Sequence, residues 1–265
     1  MNRKKRRIVV KVGTSTLTNE FGKRNLHRIE ELAMTLADIQ NMGNEVVLVS
    51  SGAIAVGANK MRLSDPPNEM RMKQAAAAVG QCDNMFLYDK FFGYYSKTVA
   101  QILLNAEDIQ QEEKKENLSN TFEALLEHGI IPIVNENDSV SYTEIESEER
   151  LFGDNDKLSA VVAVLCRADM LVILSDIDGF YDKDPRFYRD AKLISRVDTI
   201  DESVYALAGG AGSRRGTGGM KTKLEAAELA VSQGISTLVM NGNDPSRLYD
   251  IFKGKKVGTL FAAKR

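Results

Sequence analysis

Short apolar runs rich in β-branched residues alternate along the chain with segments in which apolar residues recur at helical spacing. The run IVVKV at 8–12 is followed by helical spacing between 26 and 39 and then by the run EVVLV at 45–49. A strand, a helix and a second strand with short connections form a βαβ unit, and its two strands pair in parallel. Further strands are predicted at 98–104, 130–134, 170–174, 236–240 and near 258–261. The alternation predicts an α/β protein with a central, mainly parallel sheet.

Composition argues against several classes of protein. The 265 residues suit one large α/β domain or two closely joined lobes. Lys and Arg number 35 and Asp and Glu 37, so the formal net charge of −2 gives no basic field for nucleic acid. No apolar run approaches the roughly 20 residues that span a bilayer. The two cysteines form no disulfide framework or metal-binding spacing, which favours a reducing compartment, and we expect a cytoplasmic protein.

A glycine-rich segment at 209–223, GGAGSRRGTGGMKTK, runs directly into a helical pattern. Glycines allow the backbone to approach a ligand closely, and the start of a helix offers free N–H groups and the positive end of its dipole. Together these features indicate an anion site, and phosphate is the anion that best fits them. The alternative is a mobile surface loop with a solvated basic patch. The phosphate motif GxxxxGK[ST] is absent, and the glycine spacing does not fit a nicotinamide site.

Polar residues follow four of the predicted strands directly. Because ligands of open α/β sheets bind beyond the carboxyl ends of the strands, these residues are candidates for one shared site. Any sheet carries some polar loops at its edges, so the indication comes from their occurrence together with the glycine-rich segment. The candidates are Lys11, Gly13, Thr14 and Ser15; Ser50, Ser51 and Gly52; Asn135, Glu136, Asn137 and Asp138; and Ser175, Asp176 and Asp178.

Lys11 stands in an otherwise apolar strand, where a lysine is costly unless its head group reaches water or an anion. It could simply extend to solvent from the strand end. The clusters NEND at 135–138 and GDND at 153–156 could bind metal, cap helices or hold the ammonium group of a substrate. Asp154 or Asn155 could be a helix cap, and Asp156 falls in the first helical turn, where a carboxylate also favours the dipole.

Six segments occur in the order found in one known family. They are KVGTS at 11–15, SSGAIAVG at 50–57, NENDSV at 135–140, GDNDKLSA at 153–160, SDIDGFYDKDPR at 175–186 and GTGGMKTK at 216–223. On these segments the chain resembles the amino acid kinase family, and within it the members that phosphorylate free glutamate. The resemblance implies a three-layer αβα sandwich with eight strands. It implies a single domain, with an amino-acid-binding lobe at about 1–168 and an ATP-binding lobe at about 169–265.

The resemblance also implies an activity and roles for individual residues. The γ-phosphoryl group of ATP would pass to the side-chain carboxylate of L-glutamate, giving L-glutamyl 5-phosphate in the first step of proline biosynthesis, with Mg²⁺ held mainly by the ATP phosphates. Lys11 and Lys223 would hold the transferring group, and Asp156 would orient both lysines. Glutamate would be bound by Ser51, Asp138 and Asn155. ATP would be bound by Lys11, Ser175, Asp176, Thr217, Gly218, Gly219, Met220, Lys221, Thr222 and Lys223.

Alternatives to this activity are an N-acetylglutamate or aspartate kinase of the same family, or a nucleotide-binding protein of this fold without catalysis. The resemblance further implies a homo-oligomer, either dimer or tetramer. Proline would be a feedback inhibitor acting near the acidic segment at 142–150, and glutamyl phosphate reductase would take up the product. Many of these family members carry a C-terminal PUA domain, and we expect none here. Neither nucleic acid nor membrane is an expected partner.

Overall fold

Eight strands form one sheet in the computed structural model, which describes residues 5–18, 24–140, 155–208 and 219–264. The strands are β1 (Arg7–Val12), β2 (Glu45–Val49), β3 (Val99–Leu104), β4 (Ile131–Glu136), β5 (Met170–Ser175), β6 (Arg196–Val197), β7 (Ser236–Asn241) and β8 (Thr259–Phe261). Their order across the sheet is β3-β4-β2-β1-β5-β7-β8-β6. Every pairing between these eight strands is parallel except that of β7 with β8, so the predicted, mainly parallel sheet is confirmed.

Helices cover both faces of this sheet. They are α1 (Thr14–Leu17), α2 (Leu26–Asn41), α3 (Ala53–Lys60), α4 (Met70–Tyr94), α5 (Ala106–Gln110), α6 (Glu112–Glu127), α7 (Asn155–Leu165), α8 (Glu202–Ala208), α9 (Met220–Ser232) and α10 (Leu248–Phe252), with a 3-10 turn at Pro245–Arg247. None of the helices in the described ranges combines the length and the hydrophobicity that crossing a bilayer requires.

Strand β1 shows how the two faces are separated. Ile8, Val10 and Val12 pack in one apolar cluster with α2, α4 and α10, whereas Val9 packs in a second cluster with α6, α7 and α9. Because side chains alternate between the faces of a strand, Lys11 projects from the same face as Val9. We call this the α7 face. Helices on both sides of the sheet give three layers, which confirms the αβα architecture expected from the sequence.

The parallel strands place their last residues along a single edge of the sheet, which we call the carboxyl edge. Val12, Val49, Glu136, Ser175 and Asn241 end β1, β2, β4, β5 and β7 at this edge. Since β1 pairs with β2 on one side and with β5 on the other, one continuous sheet joins the two predicted lobes. The assignment of one lobe to the amino acid and the other to ATP stays a prediction.

Some local predictions differ from the structure. No helix is predicted directly after β1, but residues 14–17 form the one-turn helix α1, with Gly13 preceding it in extended conformation. Four residues are too few to show a helical repeat, so the pattern could not reveal this turn of helix. The two-residue strand β6 was not expected for the same reason.

Helix α3 packs against α4 with the two backbones in direct contact. A Cβ atom added at Gly57 would lie 1.7 Å from the carbonyl oxygen of Ala76, and one added at Gly80 would lie 1.8 Å from that of Ala53. Real side chains cannot occupy such positions, so the close crossing requires glycine at both places. This contact holds α3 in place. Helix α3 begins directly after residues 50–52, which follow β2 at the carboxyl edge.

We expect Gly80→Ala to lower the free energy of unfolding by about 3 kcal/mol, because the added methyl group would force α3 and α4 apart. Gly93→Ala is the matched control, since Gly93 lies in the same helix and an added Cβ would meet no atom within 4 Å. The control should gain up to about 1 kcal/mol from the better helix propensity of alanine. Denaturant unfolding of both variants measures the difference. Equal unfolding midpoints for the two would contradict the backbone contact.

Candidate active site

The carboxylate of Asp156 lies between two lysine ammonium groups at the carboxyl edge. Lys11 Nζ is 2.6 Å from Asp156 Oδ1, and Lys223 Nζ is 3.0 Å from Asp156 Oδ2. All three residues are buried, with 0% of Asp156, 6% of Lys11 and 7% of Lys223 exposed. Charged side chains are rarely buried to this extent unless they are paired. The three residues, which are distant in sequence, therefore form one buried ionic cluster.

Each member of this cluster is placed by a different element of the fold. Lys11 is the next-to-last residue of β1 and projects from the α7 face. Asp156 lies in the first turn of α7, and Lys223 lies in the first turn of α9. The two helices pack side by side in the same apolar cluster, so both N-termini lie at the carboxyl edge. The first N–H groups of a helix and its dipole favour an anion at such a point.

The electrostatics of the cluster also favour an anion. Burial raises the pKa of the Asp156 carboxyl, but the nearby ammonium groups of Lys11 and Lys223 lower it by more, so the net direction is downward. The carboxyl is therefore ionised at neutral pH, and the three side chains carry a formal net charge of +1. Because the folded-state pKa is lowered, the stabilisation from this carboxylate is present above about pH 4 and is lost as the pH falls through the folded-state pKa.

Thr222 adds a hydroxyl group to the same carboxylate. Its Oγ1 lies 3.0 Å from Asp156 Oδ2 and 2.9 Å from the carbonyl oxygen of Gly219, and the hydroxyl can donate to either. Lys221, by contrast, lies on the solvent side of α9, where its side chain is 72% exposed and 3.9 Å from Glu225. The first turn of α9 therefore presents Thr222 and Lys223 to the cluster and Lys221 to solvent.

The other residues predicted to bind ATP are divided between β5 and the start of α9. Ser175, the buried last residue of β5, donates its hydroxyl to Asp176 Oδ1 at 3.1 Å. Met220 is partly buried and packs against the apolar cluster of the α7 face. Thr217 and Gly218 lie outside the described residues. The ATP-binding roles of these residues stay predictions.

Asn155 connects α7 to the ends of two strands. Its side-chain Nδ2 donates to the carbonyl oxygen of Ser50 at 2.6 Å and to Asn135 Oδ1 at 2.9 Å. The amide therefore spans from α7 to the residue after β2 and to β4. Asn155 begins the helix as its first helical residue, and Asp154, the other proposed cap, lies outside the described residues.

Ser51 lies beside the residues that follow β1. Its hydroxyl donates to the carbonyl oxygen of Val12 at 3.0 Å, and the hydroxyl of Thr14 is 3.4 Å away. Gly52 adopts the left-handed conformation with φ of +85°, and an added Cβ would press on Thr14 at 3.1 Å. A Cβ added at Gly13 would lie 3.5 Å from Lys11 Nζ. Glycines in both loops therefore keep the space around the lysine and the two hydroxyls narrow but open.

Asp138 lies in the turn after β4 and is partly buried. The turn is closed by Val140 N–H donating to the carbonyl oxygen of Asn137, and Ser139 donates its hydroxyl to Asn137 Oδ1 at 2.7 Å. The roles of Ser51, Asp138 and Asn155 in binding an amino acid stay predictions. The acidic segment at 142–150 lies outside the described residues.

The end of β7 also contributes polar groups that the sequence did not single out. Asn241 Nδ2 donates to Asp178 Oδ1 at 2.8 Å, and Gly242 N–H donates to the carbonyl oxygen of Ser175 at 2.7 Å. An added Cβ at Gly242 would lie 2.9 Å from the Leu174 Cβ. The signal was available in the sequence, because NGND follows the apolar run STLVM as polar residues follow the other strands.

Comparisons with known proteins agree with this architecture. The model of the amino acid kinase family matches residues 6–241. A glutamate 5-kinase from Clostridium perfringens is 57% identical over 260 residues, which cover 98% of this chain and 96% of that protein. A glutamate 5-kinase from Listeria innocua is 50% identical, with 98% and 94% covered. One from Caldanaerobacter subterraneus is 48% identical, but the match covers 96% of this chain and only 67% of that longer protein.

Solved structures show the same fold at low sequence identity. An isopentenyl phosphate kinase from T. acidophilum superposes with a TM-score of 0.64 at 19% identity, covering 96% of this chain and 99% of the other. A UMP kinase from Bacillus anthracis superposes with a TM-score of 0.66 at 18% identity, covering 99% and 98%. The family match at 6–241 spans β1, α7 and α9, the three elements that carry the buried ionic cluster. The chain belongs to the amino acid kinase family.

Proposed function

We propose that this chain transfers the γ-phosphoryl group of ATP to the side-chain carboxylate of free L-glutamate, giving L-glutamyl 5-phosphate for proline biosynthesis. Relatives named glutamate 5-kinase at 48–57% identity, covering nearly the whole chain, support this substrate and reaction. The structural observation that supports it is the pair of buried lysines on one carboxylate at the carboxyl edge. Aspartate and N-acetylglutamate kinase activities are less favoured by these relatives.

The chemistry requires charge neutralisation and alignment more than acid–base catalysis. The glutamate carboxylate is ionised at neutral pH and attacks the γ-phosphorus directly. The bond from that phosphorus to the β–γ bridging oxygen breaks, and ADP leaves with the electron pair. No proton has to be removed from the nucleophile, so Asp156 need not act as a base, and its two ion pairs and lowered pKa suit it to holding the lysines. Lys11 and Lys223 would face the oxygens of the moving phosphoryl group.

The ionic cluster fits a nucleoside triphosphate, since three buried side chains with a formal net charge of +1 lie beside two helix N-termini. Mg²⁺, when bound with ATP, would neutralise phosphate charge, and we propose that the phosphate oxygens and water supply most of its ligands. Ser175, Asp176 and the start of α9 would hold the nucleotide in the part of the chain at about 169–265.

Glutamate would lie on the other side of the cluster, in the part at about 1–168. There the ends of β1, β2 and β4 bring hydroxyl, amide and carboxylate groups together. Asp138 has the charge to pair with the substrate ammonium group, and Ser51 and Asn155 would be the other contacts of the bound glutamate. We propose a cytoplasmic homo-oligomer, inhibition by proline, and a reductase as the enzyme that consumes the labile acyl phosphate.

The proposal predicts which amino acids the protein phosphorylates. Purified protein with ATP, Mg²⁺ and hydroxylamine should convert L-glutamate to the hydroxamate. L-aspartate, which is shorter by one methylene, should react at least about tenfold less efficiently. N-acetyl-L-glutamate should not react, because it lacks the charge that would pair with Asp138. Hydroxamate formation from either analogue but not from glutamate would contradict the substrate, and ATP binding without turnover of any of them would contradict catalysis.

A further inference from the structure

A buried pair of hydroxyl groups lies next to the residues that are proposed to bind glutamate. Tyr88 on α4 and Ser50, the residue that follows β2, are each 3% exposed, and their hydroxyl oxygens are 2.8 Å apart. The Tyr88 ring packs in the apolar cluster opposite the α7 face, with the ring of Phe92 at a centroid distance of 6.5 Å. Burial raises the pKa of Tyr88 to about 12, so the hydroxyl keeps its proton at neutral pH. The pair is therefore a fixed, neutral hydrogen bond.

Ser50 joins several elements of the fold through its backbone. Its N–H donates to the carbonyl oxygen of Val134 in β4 at 2.9 Å, and its own carbonyl oxygen accepts from Asn155 Nδ2 at 2.6 Å. The side-chain hydroxyl is hydrogen-bonded to Tyr88. The N–H, the carbonyl oxygen and the hydroxyl of Ser50 therefore each have a partner on a different element. The orientation of the peptide that follows Ser50 is therefore set by β4, α7 and α4 together.

That peptide leads directly to the proposed glutamate-binding groups. Ser51 is the next residue, and its hydroxyl is held by the carbonyl oxygen of Val12. Asn155, the other proposed contact, is held by the carbonyl oxygen of Ser50 itself. A rotation of the Ser50 backbone would displace both groups at once. Lys11, Asp156 and Lys223 lie on β1, α7 and α9, and the two ion pairs that join them do not involve the Ser50 side chain.

We propose that Tyr88 is a positioning residue for the phosphoryl acceptor: through Ser50 it fixes Ser51 and Asn155 where they bind L-glutamate. This inference rests on the proposed function. Tyr88 acts through another residue, so removing its hydroxyl group should weaken the binding of glutamate without impairing the buried ionic cluster. The resulting signature is a change in KM for glutamate with little change in KM for ATP.

The test compares Tyr88→Phe with the wild-type protein in the hydroxamate assay. Removal of one buried hydroxyl should raise KM for glutamate about five- to tenfold, and leave KM for ATP and kcat within about twofold. Ser50→Ala should have the same effect. The double variant should be no worse than either single one, because both substitutions remove the same hydrogen bond.

Tyr249→Phe is the matched control for loss of a tyrosine hydroxyl. Tyr249 donates to Asp38 Oδ2 at 2.7 Å, which joins α10 to the C-terminal half of α2 far from the carboxyl edge. This variant can lose stability, but KM for glutamate should stay at the wild-type value. Tyr88→Phe with an unchanged KM for glutamate, or with both KM values raised alike, would overturn the positioning role. If the wild-type protein forms no product from glutamate, the proposed function is contradicted, and the role of Tyr88 is contradicted together with it.

Discussion

Replacing Lys223 by methionine should lower kcat for the proposed reaction about 10²–10³-fold while the protein stays folded. Methionine keeps most of the apolar stem of lysine but removes the ammonium group that lies 3.0 Å from Asp156 Oδ2. Lys11 still pairs with the same carboxylate at 2.6 Å, so the substitution does not leave a buried charge without a counter-ion. The loss should therefore appear in the transition state, where negative charge on the moving phosphoryl group would lack one of its two lysines.

The rate is measured with glutamate and ATP both saturating, and the unfolding midpoint is measured on the same sample. Lys255→Met is the control, because Lys255 pairs with Asp250 at 2.9 Å at the surface, with its side chain 62% exposed. Surface pairs of this kind contribute little to stability, and this one lies outside the proposed site. A Lys223→Met protein that keeps most of the wild-type kcat would remove Lys223 from the phosphoryl-transfer step.

The central parallel strands could be predicted from the sequence because buried strands carry a strong local pattern. The runs that became β1, β2 and β5 are almost wholly apolar, as expected for strands covered on both faces, and the helices between them show helical spacing. The pattern gave only part of the far end of the sheet. Strand β8 was predicted near 258–261, but its antiparallel pairing with β7 is indicated by no local periodicity, and β6, with two residues, was not predicted.

Lys11 shows the same limit at the level of one side chain. From the sequence, a lysine near a strand end could extend to solvent or meet an anion inside the protein, and both explanations fitted. The structure buries it, and the cause is Asp156, which is far away in the chain but placed on the same face of β1 by α7. Whether Lys11 is buried depends on a tertiary contact, and residue propensities carry no information about such contacts.

The hydroxyl pair of Ser50 and Tyr88 could not have been anticipated at all. Ser50 was one of several polar residues after β2, and Tyr88 was one aromatic residue in a long helical segment. Their contact depends on how α4 crosses the sheet, which is determined in part by the approach of α3 and α4 at Gly57 and Gly80. Such a contact lies in the packing of helices, not in the periodicity of either segment.

Asp156→Asn should have the largest effect of all, lowering kcat about 10³-fold and also lowering the free energy of unfolding by about 3 kcal/mol or more. The amide keeps the shape of the carboxylate but not its charge, so two buried ammonium groups lose their shared counter-ion. The amide NH₂ group would also face at least one ammonium group, donor against donor. Because the pKa of Asp156 is lowered, the stability advantage of the wild-type protein should shrink below about pH 4.

Glu45→Gln is the matched control for Asp156→Asn, because it removes a cation-paired carboxylate that lies outside the proposed site. Glu45 also holds two cations, with Lys5 at 2.5 Å and Arg7 at 2.7 Å, and its side chain is 12% exposed, but it begins β2 at the opposite edge of the sheet. Both variants should unfold more easily, and only Asp156→Asn should lose activity. If Asp156→Asn is destabilised to a similar extent but keeps its kcat, the carboxylate serves the fold alone. Its lysines would then be held for transfer by some other group, because an ammonium group that is free to turn away cannot stabilise charge at a fixed point.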